Sequence, residues 1–325
     1  MAQVWAYRMQ GPGFVERYEV PDDTTPLGPH KVRLRLLVAG LCGSDMPRFN
    51  GTVVGRIPGP LSDGAPMHEV VAEVLESTSD RLQVGQRVVG TTGHTGLCEF
   101  LTTSDSLLIG VPDELDDVEA VTIQSLGTVL RAADELPDLS GCRTAVIGAG
   151  PIGLSFCHVL KQYGAGHVTA IDPIDRQDVA IRYGADEFVR MNSRHWLQTL
   201  SADERPQVTI EAVGHQHVTI GNAIAAVAQG GFVYGFGTPD DDDYVLDYRD
   251  IYERNLTLSS GHTIDDWPTV LEKGRDYLLK HREDFADYVS HVVAAAEAQT
   301  AYTLYARPQV GRLKVAIVNR DLTGS

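Results

Sequence analysis

The chain has 325 residues, which is more than one compact hydrophobic core usually holds and therefore predicts two domains. Apolar residues make up 43% of it and charged residues 22%, as is usual in folded globular proteins. Its 44 acidic and 27 basic side chains give a formal net charge of -17. Such a surface repels nucleic-acid phosphates and anionic lipid headgroups, so neither nucleic acid nor a membrane is an expected partner. Since the sequence shows neither a signal-peptide pattern nor a bilayer-spanning apolar run, a cytoplasmic location is expected.

The first third of the chain has the pattern of a β-rich domain. Residues 31–38 alternate between basic and apolar side chains, which is the period of a half-buried strand. Further strand-like segments are separated by clusters of Gly, Pro, Asp and Ser, at residues 70–74, 87–89 and 99–102. A β-rich domain is therefore predicted here.

The pattern changes at about residue 144 to short apolar runs separated by helical stretches. Such runs are typical of buried parallel strands, and they lie at residues 144–147, 168–171, 208–210, 232–234 and 256–259. This order predicts an α/β domain with a doubly wound parallel sheet. The last part predicts helices at 267–280 and around 294–302 and a closing strand at 313–318, while Trp196 and Trp267 are expected at domain surfaces.

A glycine-rich loop follows the first of these parallel strands. The run Gly148-Ala149-Gly150-Pro151-Ile152-Gly153 lies between that strand and a predicted helix. Gly148 allows a tight turn, Gly150 lets the backbone approach a pyrophosphate, and Gly153 permits close packing of helix and strand. Pro151 suits the first helical turn, whose positive dipole end would face the phosphates. The loop predicts dinucleotide binding, although the same glycines also occur in plain strand-to-helix turns.

An acidic residue follows the glycine loop at the spacing of a ribose-binding carboxylate. Asp172 lies nineteen residues after Gly153, at the end of the next apolar run. A carboxylate there accepts hydrogen bonds from the adenosine ribose and repels a 2′-phosphate, which favours NAD over NADP. Arg176 leaves a dual cofactor preference open, and Asp172 followed by Pro173 could also be a simple turn.

Two upstream segments contain residue types that bind zinc. Cys42 begins Cys-Gly-Ser-Asp, and His68 begins His-Glu. Thiolate and imidazole are good zinc ligands, and a catalytic site needs three protein ligands with one position open for substrate. Taken singly, a cysteine is more often a small buried hydrophobe, and a histidine more often forms structural hydrogen bonds. The four cysteines show no CxxC spacing, which indicates neither a disulfide framework nor a zinc knuckle.

Taken together and in this order, the motifs resemble the zinc-type medium-chain dehydrogenase/reductases, especially sorbitol and threonine dehydrogenases. The matching segments are Gly28 to Val32, Gly40 to Asp45, His68-Glu69, Val84 to Val88, Gly148 to Gly153, Glu211 to Gly214, Gly230-Gly231 and Gly311 to Val315. The resemblance implies a GroES-like β-rich catalytic domain at residues 1–125, a Rossmann NAD-binding domain at 126–264, and a C-terminal return to the catalytic domain at 265–325.

The resemblance also implies roles for individual residues. Cys42 and His68 would bind a catalytic zinc, Ser44 would begin a proton relay from the alcohol, and Glu69 would lie behind or beside the metal. The expected cofactor residues are Gly148, Gly150, Pro151, Ile152, Gly153, Asp172 and Val213. The implied reaction is hydride transfer between a secondary alcohol, such as a polyol, sugar or cyclitol, and NAD. The implied assembly is a homodimer or homotetramer with a small-molecule alcohol or ketone as its substrate.

Three departures from the family pattern affect the metal prediction. The cysteine-rich lobe that holds a structural zinc in many relatives is absent, so no structural zinc is expected. Met67 replaces a glycine, and Pro47-Arg48 replaces a histidine that often serves the relay. Gln124 occupies the position of the third zinc ligand, where the family has Glu, Asp or Cys. Because Gln124 is neutral, it would hold zinc more weakly unless Glu69 ligated the ion directly.

Two alternative functions remain open from the sequence. One is a zinc-free, NADPH-dependent reductase of quinones or enones, against which Asp172 argues. The other is a non-catalytic dinucleotide-binding protein, which Gln124 mildly favours. Metal analysis and cofactor preference distinguish these from a zinc-dependent alcohol dehydrogenase.

Overall fold

The computed structural model describes residues 2–52, 62–64, 66–93, 95–261 and 263–320. The chain divides into two compact units. Unit 1 comprises the chain up to Thr128, Ile264–Pro308 and the residues from Arg312 on, while unit 2 comprises Val129–Thr263 with Gln309–Gly311. The C-terminal segment therefore belongs to the same unit as the N-terminal third.

The strands and helices alternate differently in the two units. The strands are β1 (Gln3–Gly11), β2 (Phe14–Pro21), β3 (Lys31–Gly40), β4 (Glu69–Ser77), β5 (Arg87–Thr91), β6 (Phe100–Ser104), β7 (Leu108–Gly110), β8 (Arg143–Ile147), β9 (His167–Ile171), β10 (Glu187–Val189), β11 (Val208–Glu211), β12 (Phe232–Gly235), β13 (Thr257–Ser260), β14 (Val289–Ala294) and β15 (Lys314–Val318). The α-helices are α1 (Met46–Phe49), α2 (Asp117–Ala120), α3 (Thr122–Ala133), α4 (Pro151–Gln162), α5 (Gln177–Arg182), α6 (Ser193–Thr199), α7 (His217–Ala226), α8 (Tyr248–Glu253), α9 (Trp267–Lys280) and α10 (Ala298–Tyr305). Within the described ranges, no helix is both long and apolar enough to cross a membrane.

Unit 1 is built on a mixed sheet in which β3 is central. The strand order is β14-β15-β3-β4-β5-β7, β6 also pairs with β3, and β1 and β2 form a separate antiparallel pair. At the end of β3, Gly40 lies opposite Glu69 of β4 on one side and Ala316 of β15 on the other. β15 therefore completes the sheet beside β3, the strand that leads into the Cys42 motif.

The alternating pattern of β3 has a physical basis in its two faces. Leu34 and Leu36 are fully buried in the core, whereas Arg35 is exposed and ion-paired with Glu73 of β4. The strand extends two residues beyond the predicted 31–38. Arg33 departs from the pattern because it is buried, with its guanidinium 5.3 Å from the centroid of the Phe100 ring.

Helix α10 covers the core of unit 1 with one apolar face. Its buried residues Ala298, Ala301, Tyr302 and Tyr305 follow the spacing of one helical face. The helix begins later than the predicted 294–302, since Ala294 is still in β14 and a short 3₁₀ turn precedes Ala298. The C-terminal segment thus provides both a sheet strand and a packing helix to unit 1.

Unit 2 is a parallel six-stranded sheet in the order β10-β9-β8-β11-β12-β13. Numbered along the chain from β8, this is the order 3-2-1-4-5-6 of dinucleotide-binding folds. The strand order reverses between β8 and β11, and ligands of such sheets bind beyond the carboxyl ends of the strands at that point. The expectation that Trp196 lies at a surface is wrong, because its side chain is 4% exposed within the core of this unit.

Candidate active site

Strand register brings the first two motifs together in unit 1. Because Gly40 lies opposite Glu69, the residues just after β3 and just before β4 lie at the same end of the sheet. One ligand atom each from Cys42, His68 and Glu69 lies within 4.8 Å of the others. The backbone of His68 is fixed by its carbonyl, which accepts a hydrogen bond from the Thr92 amide at 3.1 Å. We call Cys42, His68 and Glu69 the metal-ligand cluster.

The 3₁₀ turn Gly43–Asp45 places a buried carboxylate against this cluster. Asp45 Oδ2 accepts a hydrogen bond from the Cys42 amide at 2.8 Å, and its Oδ1 lies 3.5 Å from His68 Nδ1. Burial on its own lowers the pKa of His68, but hydrogen bonding and charge from Asp45 and Cys42 outweigh it and raise that pKa well above the ordinary value. The surroundings of the imidazole therefore favour a positive charge, whether a proton or a metal ion carries it.

Glu69 has a second partner besides the cluster. Its carboxylate forms an ion pair with the ammonium of Lys314 on β15, and both side chains are almost completely buried. Burial would lower the pKa of Lys314, but the Glu69 charge outweighs burial and raises it above the ordinary value. Lys314 is therefore a buried cation held in place by a carboxylate of the cluster.

Ser44 and Gln124 lie in two different elements of unit 1. Ser44 is half-buried in the 3₁₀ turn, and Gln124 is buried near the start of α3. Val121 precedes Gln124 by three residues. Its Cγ2 lies 3.0 Å from the point where a Cβ on Gly40 would be, and Glu69 Oε2 lies 2.7 Å from the same point. The helix that carries Gln124 therefore begins beside Glu69.

The glycine loop of unit 2 has the backbone shape that its sequence predicts. Gly148 has a φ of +96°, which side-chain-bearing residues rarely adopt. A Cβ on Gly153 would lie 1.7 Å from the Gly148 carbonyl oxygen, so the start of α4 packs directly on the turn. A Cβ on Gly150 would meet nothing within 4 Å. Pro151 is the first residue of α4, followed by Ile152. The loop is thus tight at its two ends and open at its centre.

Asp172 connects the end of β9 to this loop. Its Oδ2 accepts a hydrogen bond from the Ala149 amide at 2.9 Å, and its Oδ1 accepts one from the Ile174 amide at 2.8 Å. The side chain remains half-buried. The carboxylate therefore lies at the edge of the glycine loop.

A third loop at this edge is organised by Glu211, which is buried at the end of β11. Glu211 Oε1 accepts hydrogen bonds from the amides of Val213 and Gly214, at 3.0 and 2.9 Å. Val213 also contacts the glycine loop, because its Cγ2 lies 2.7 Å from the point where a Cβ on Gly148 would be. The loops after β8, β9 and β11 thus meet at the carboxyl edge of the sheet, at the reversal of strand order.

Comparison with known proteins assigns both units to one family. Residues 28–122 match the alcohol dehydrogenase GroES-like domain, and residues 151–276 match the zinc-binding dehydrogenase domain. The chain belongs to the zinc-type alcohol dehydrogenase superfamily. The predicted resemblance and the predicted fold class are thereby confirmed. The chain is an oxidoreductase of the secondary-alcohol dehydrogenase class.

Individual relatives are similar over nearly the whole chain. Sorbitol dehydrogenase of Bacillus subtilis is 24% identical over 88% of this chain and 88% of its own length. L-threonine 3-dehydrogenase of Caldanaerobacter subterraneus is 25% identical over 96% of this chain and 97% of its own. Among solved structures, the alcohol dehydrogenase TADH from Thermus sp. ATN1 has a TM-score of 0.81 and 25% identity, covering 97% of this chain and 100% of its own.

In this zinc-type alcohol dehydrogenase, the structure brings together more residues than the sequence singled out. Cys42, His68 and Glu69 form one cluster, and the loops with Gly148, Asp172 and Val213 meet at one edge of unit 2. Sequence reasoning did not assign roles to Asp45, Lys314 or Glu211. Asp45 and Glu211 lay within motifs that had been identified, so a charged residue inside each motif was the available signal. Lys314 also lay within a matching segment, Gly311 to Val315, but its partner could not be read from it, because the contact with Glu69 depends on the pairing of β15 with β3.

Proposed function

We propose that this protein is an NAD-dependent, zinc-dependent dehydrogenase that oxidises a secondary alcohol of a polyol, sugar or cyclitol and reduces the corresponding ketone. The proposal also includes a homodimeric or homotetrameric assembly, as the family resemblance implies. The single observation that carries it is the convergence of a thiol, an imidazole and a carboxylate at the end of β3 and the start of β4. This donor set fits zinc, which is bound in proteins by cysteine, histidine and acidic side chains.

The cluster and its surroundings also match zinc in charge. With zinc bound to the Cys42 thiolate, the charged groups would be that half-buried thiolate, the buried carboxylates of Asp45 and Glu69, and one buried cation, Lys314. The resulting double negative charge would balance a divalent ion. Cys42 and His68 would hold the metal, and Glu69 and Gln124 would complete its shell. Zinc bound there would supply Lewis acidity, which stabilises negative charge on a substrate oxygen.

The remaining chemistry is assigned to residues of the chain. Asp45 keeps the His68 imidazole oriented, because its carboxylate faces Nδ1. Ser44 accepts the proton from the alcohol hydroxyl and passes it toward solvent. Bound NAD would supply the hydride acceptor at C4 of its nicotinamide. The alcohol thus loses one proton and one hydride, and the ketone and NADH are the products.

The glycine loop and Asp172 support NAD as the cofactor. The open space at Gly150 leaves room for a pyrophosphate against the first turn of α4. Ile152, in that first turn, and Val213, beside the loop, would line the same dinucleotide. Asp172 would bind the adenosine ribose hydroxyls and repel a 2′-phosphate, so NADP would bind more weakly.

The test combines metal analysis with cofactor preference. Purified protein is expected to contain about one zinc per chain and to form NADH from NAD with at least one member of a polyol panel. Cys42→Ala should abolish both, because it removes an anionic ligand. Cys142→Ala is the matched control, since Cys142 is another half-buried free cysteine but lies in unit 2.

Three outcomes would contradict the proposal. The first is full zinc content and activity in Cys42→Ala. The second is reduction of enones or quinones with NADPH by zinc-free protein. The third is tight NAD binding without turnover of any alcohol in the presence of zinc, which would indicate a non-catalytic dinucleotide-binding protein.

A further inference from the structure

The buried ion pair between Glu69 and Lys314 crosses the central strand of unit 1. Glu69 is on β4 and Lys314 is on β15, and these strands flank β3 on opposite sides. The two side chains meet over Gly40. A Cβ at that position would lie 2.7 Å from Glu69 Oε2 and 3.1 Å from Lys314 Cε. The absence of a side chain on β3 therefore makes room for the pair.

This arrangement gives one carboxylate two possible positive partners. The cluster contains a carboxylate oxygen of Glu69, a ring nitrogen of His68 and the sulfur of Cys42, all within 4.8 Å of one another. The carboxylate is therefore close enough to approach a metal held by the other two side chains. The same carboxylate is the partner of Lys314, which is 2% exposed. A buried charge that loses its partner is strongly unfavourable, so the carboxylate cannot leave Lys314 at little cost.

We propose that Lys314 is a positioning residue that competes with the metal for the Glu69 carboxylate and so limits how much negative charge the carboxylate gives to the metal. The inference rests on the proposed zinc site. The competition matters in this chain because Gln124, at the proposed third ligand position, is neutral. Glu69 is then the anionic side chain whose distance from the metal can vary. Lys314 thereby keeps the metal more electrophilic and more weakly bound than a freely ligating carboxylate would.

The experiment compares four forms of the full-length protein after removal of metal with a chelator: wild type, Lys314→Met, Lys314→Arg and the double variant Glu69→Gln/Lys314→Met. Zinc affinity is measured by competition with a chromophoric chelator, and cobalt is substituted so that its absorption bands report the ligand set. Thermal unfolding is recorded for each form with and without zinc. Arg312→Met serves as the control, since it removes another buried cation, one that lies 4.5 Å from the centroid of the Tyr305 ring.

Lys314→Met is expected to bind zinc about 10-fold or more tightly than wild type, to shift the cobalt bands, and to be less stable than wild type without metal. Lys314→Arg should bind zinc as wild type does. The double variant should regain metal-free stability but lose the additional zinc affinity, because it lacks both charges. Arg312→Met should leave the cobalt bands unchanged.

The possible failures are distinguishable. If wild type binds zinc but Lys314→Met has the same affinity and the same cobalt bands, the competition is overturned and the proposed function is not. An equal rise in affinity in the double variant would also overturn it, since the gain would then not come from Glu69. If wild type binds neither zinc nor cobalt, both this inference and the proposed function are overturned.

Discussion

At the scale of single residues, Asp45 is a fully buried carboxylate that serves two neighbours. One oxygen accepts the Cys42 amide hydrogen, and the other faces His68 Nδ1. The first contact fixes the backbone that carries the thiol, and the second orients the imidazole. Cys42 and His68, two of the proposed ligands, therefore depend on one side chain that does not itself belong to the metal-ligand cluster.

Replacement of Asp45 by Asn tests this dependence. Asp45→Asn keeps the size of the side chain but removes the charge that faces His68, so zinc affinity should fall by about 10- to 100-fold. Chelator competition on the purified variant measures the change. Asp116→Asn is a suitable control, because it removes one carboxylate charge from the N-cap of α2 while keeping a capping side chain. Unchanged zinc affinity in Asp45→Asn would contradict the role assigned here.

The residues near the proposed metal site differ in how well the sequence predicts them. Cys42 and His68 were identified because each lies in a short motif whose residue types suit zinc. Lys314 was not, because its contact with Glu69 arises from the register of β15 and β4 on either side of β3. A sequence shows neighbours along the chain, and it does not show which side chains meet across two strand pairings.

At the scale of elements, the strand-turn-helix unit β8–α4 places its glycines under different constraints. Gly153 is confined by the Gly148 carbonyl, whereas Gly150 has open space where its side chain would be. Gly150 has a φ of -70°, which any residue can adopt. Close packing in the fold therefore requires glycine at position 153. At position 150 a side chain would instead occupy the space left for a ligand.

These constraints predict different effects for two alanine substitutions. Gly153→Ala should destabilise the protein by about 1–3 kcal/mol, because the methyl group would overlap the Gly148 carbonyl and the helix would have to shift. Gly150→Ala should keep the stability of wild type but weaken NAD binding about 10-fold, which corresponds to about 1.4 kcal/mol. Thermal unfolding and NAD titration measure the two effects. Equal stability of both variants would contradict the assignment.

The sequence predicts some elements much better than others. The strands β8, β9, β11 and β12 are short apolar runs bounded by turns, and such runs are characteristic of buried parallel strands. The strand β10 escaped prediction because it has three residues and lies at the sheet edge. The strands β1 and β2 also escaped it, since consecutive residues 4–7 are buried and no simple alternation marks the pair. Their burial depends on tertiary packing, which local patterns do not contain.

At the scale of the whole molecule, the formal net charge of -17 affects stability as well as the choice of partners. Like charges repel one another more strongly in a compact chain than in an unfolded one. Salt screens this repulsion, since the Debye length falls from about 30 Å at 0.01 M to about 8 Å at 0.15 M ionic strength. Self-repulsion should therefore be a measurable part of the unfolding free energy at low salt.

We expect the midpoint of thermal unfolding at pH 7 to rise by about 1–2 °C between 0.01 and 0.15 M sodium chloride, which corresponds to about 1 kcal/mol for a chain of this size. Calorimetry on metal-free protein measures the shift. Repeating the measurement at pH 5.0, near the isoelectric point of about 5.0, provides the control, because the net charge is then small. A salt effect at pH 5.0 that equals or exceeds the effect at pH 7 would contradict this explanation.

The pairing of β15 with β3 also has a consequence for biosynthesis. A ribosome makes β3 early but makes β15 only after all six strands of unit 2. During that interval the end of β3 beside Gly40 lacks one of its two neighbouring strands, and nascent chains with open strand edges are prone to aggregate. We therefore expect the growing polypeptide to be prone to aggregation until β15 emerges, and a messenger truncated before β15 would yield a product whose unit 1 sheet is incomplete.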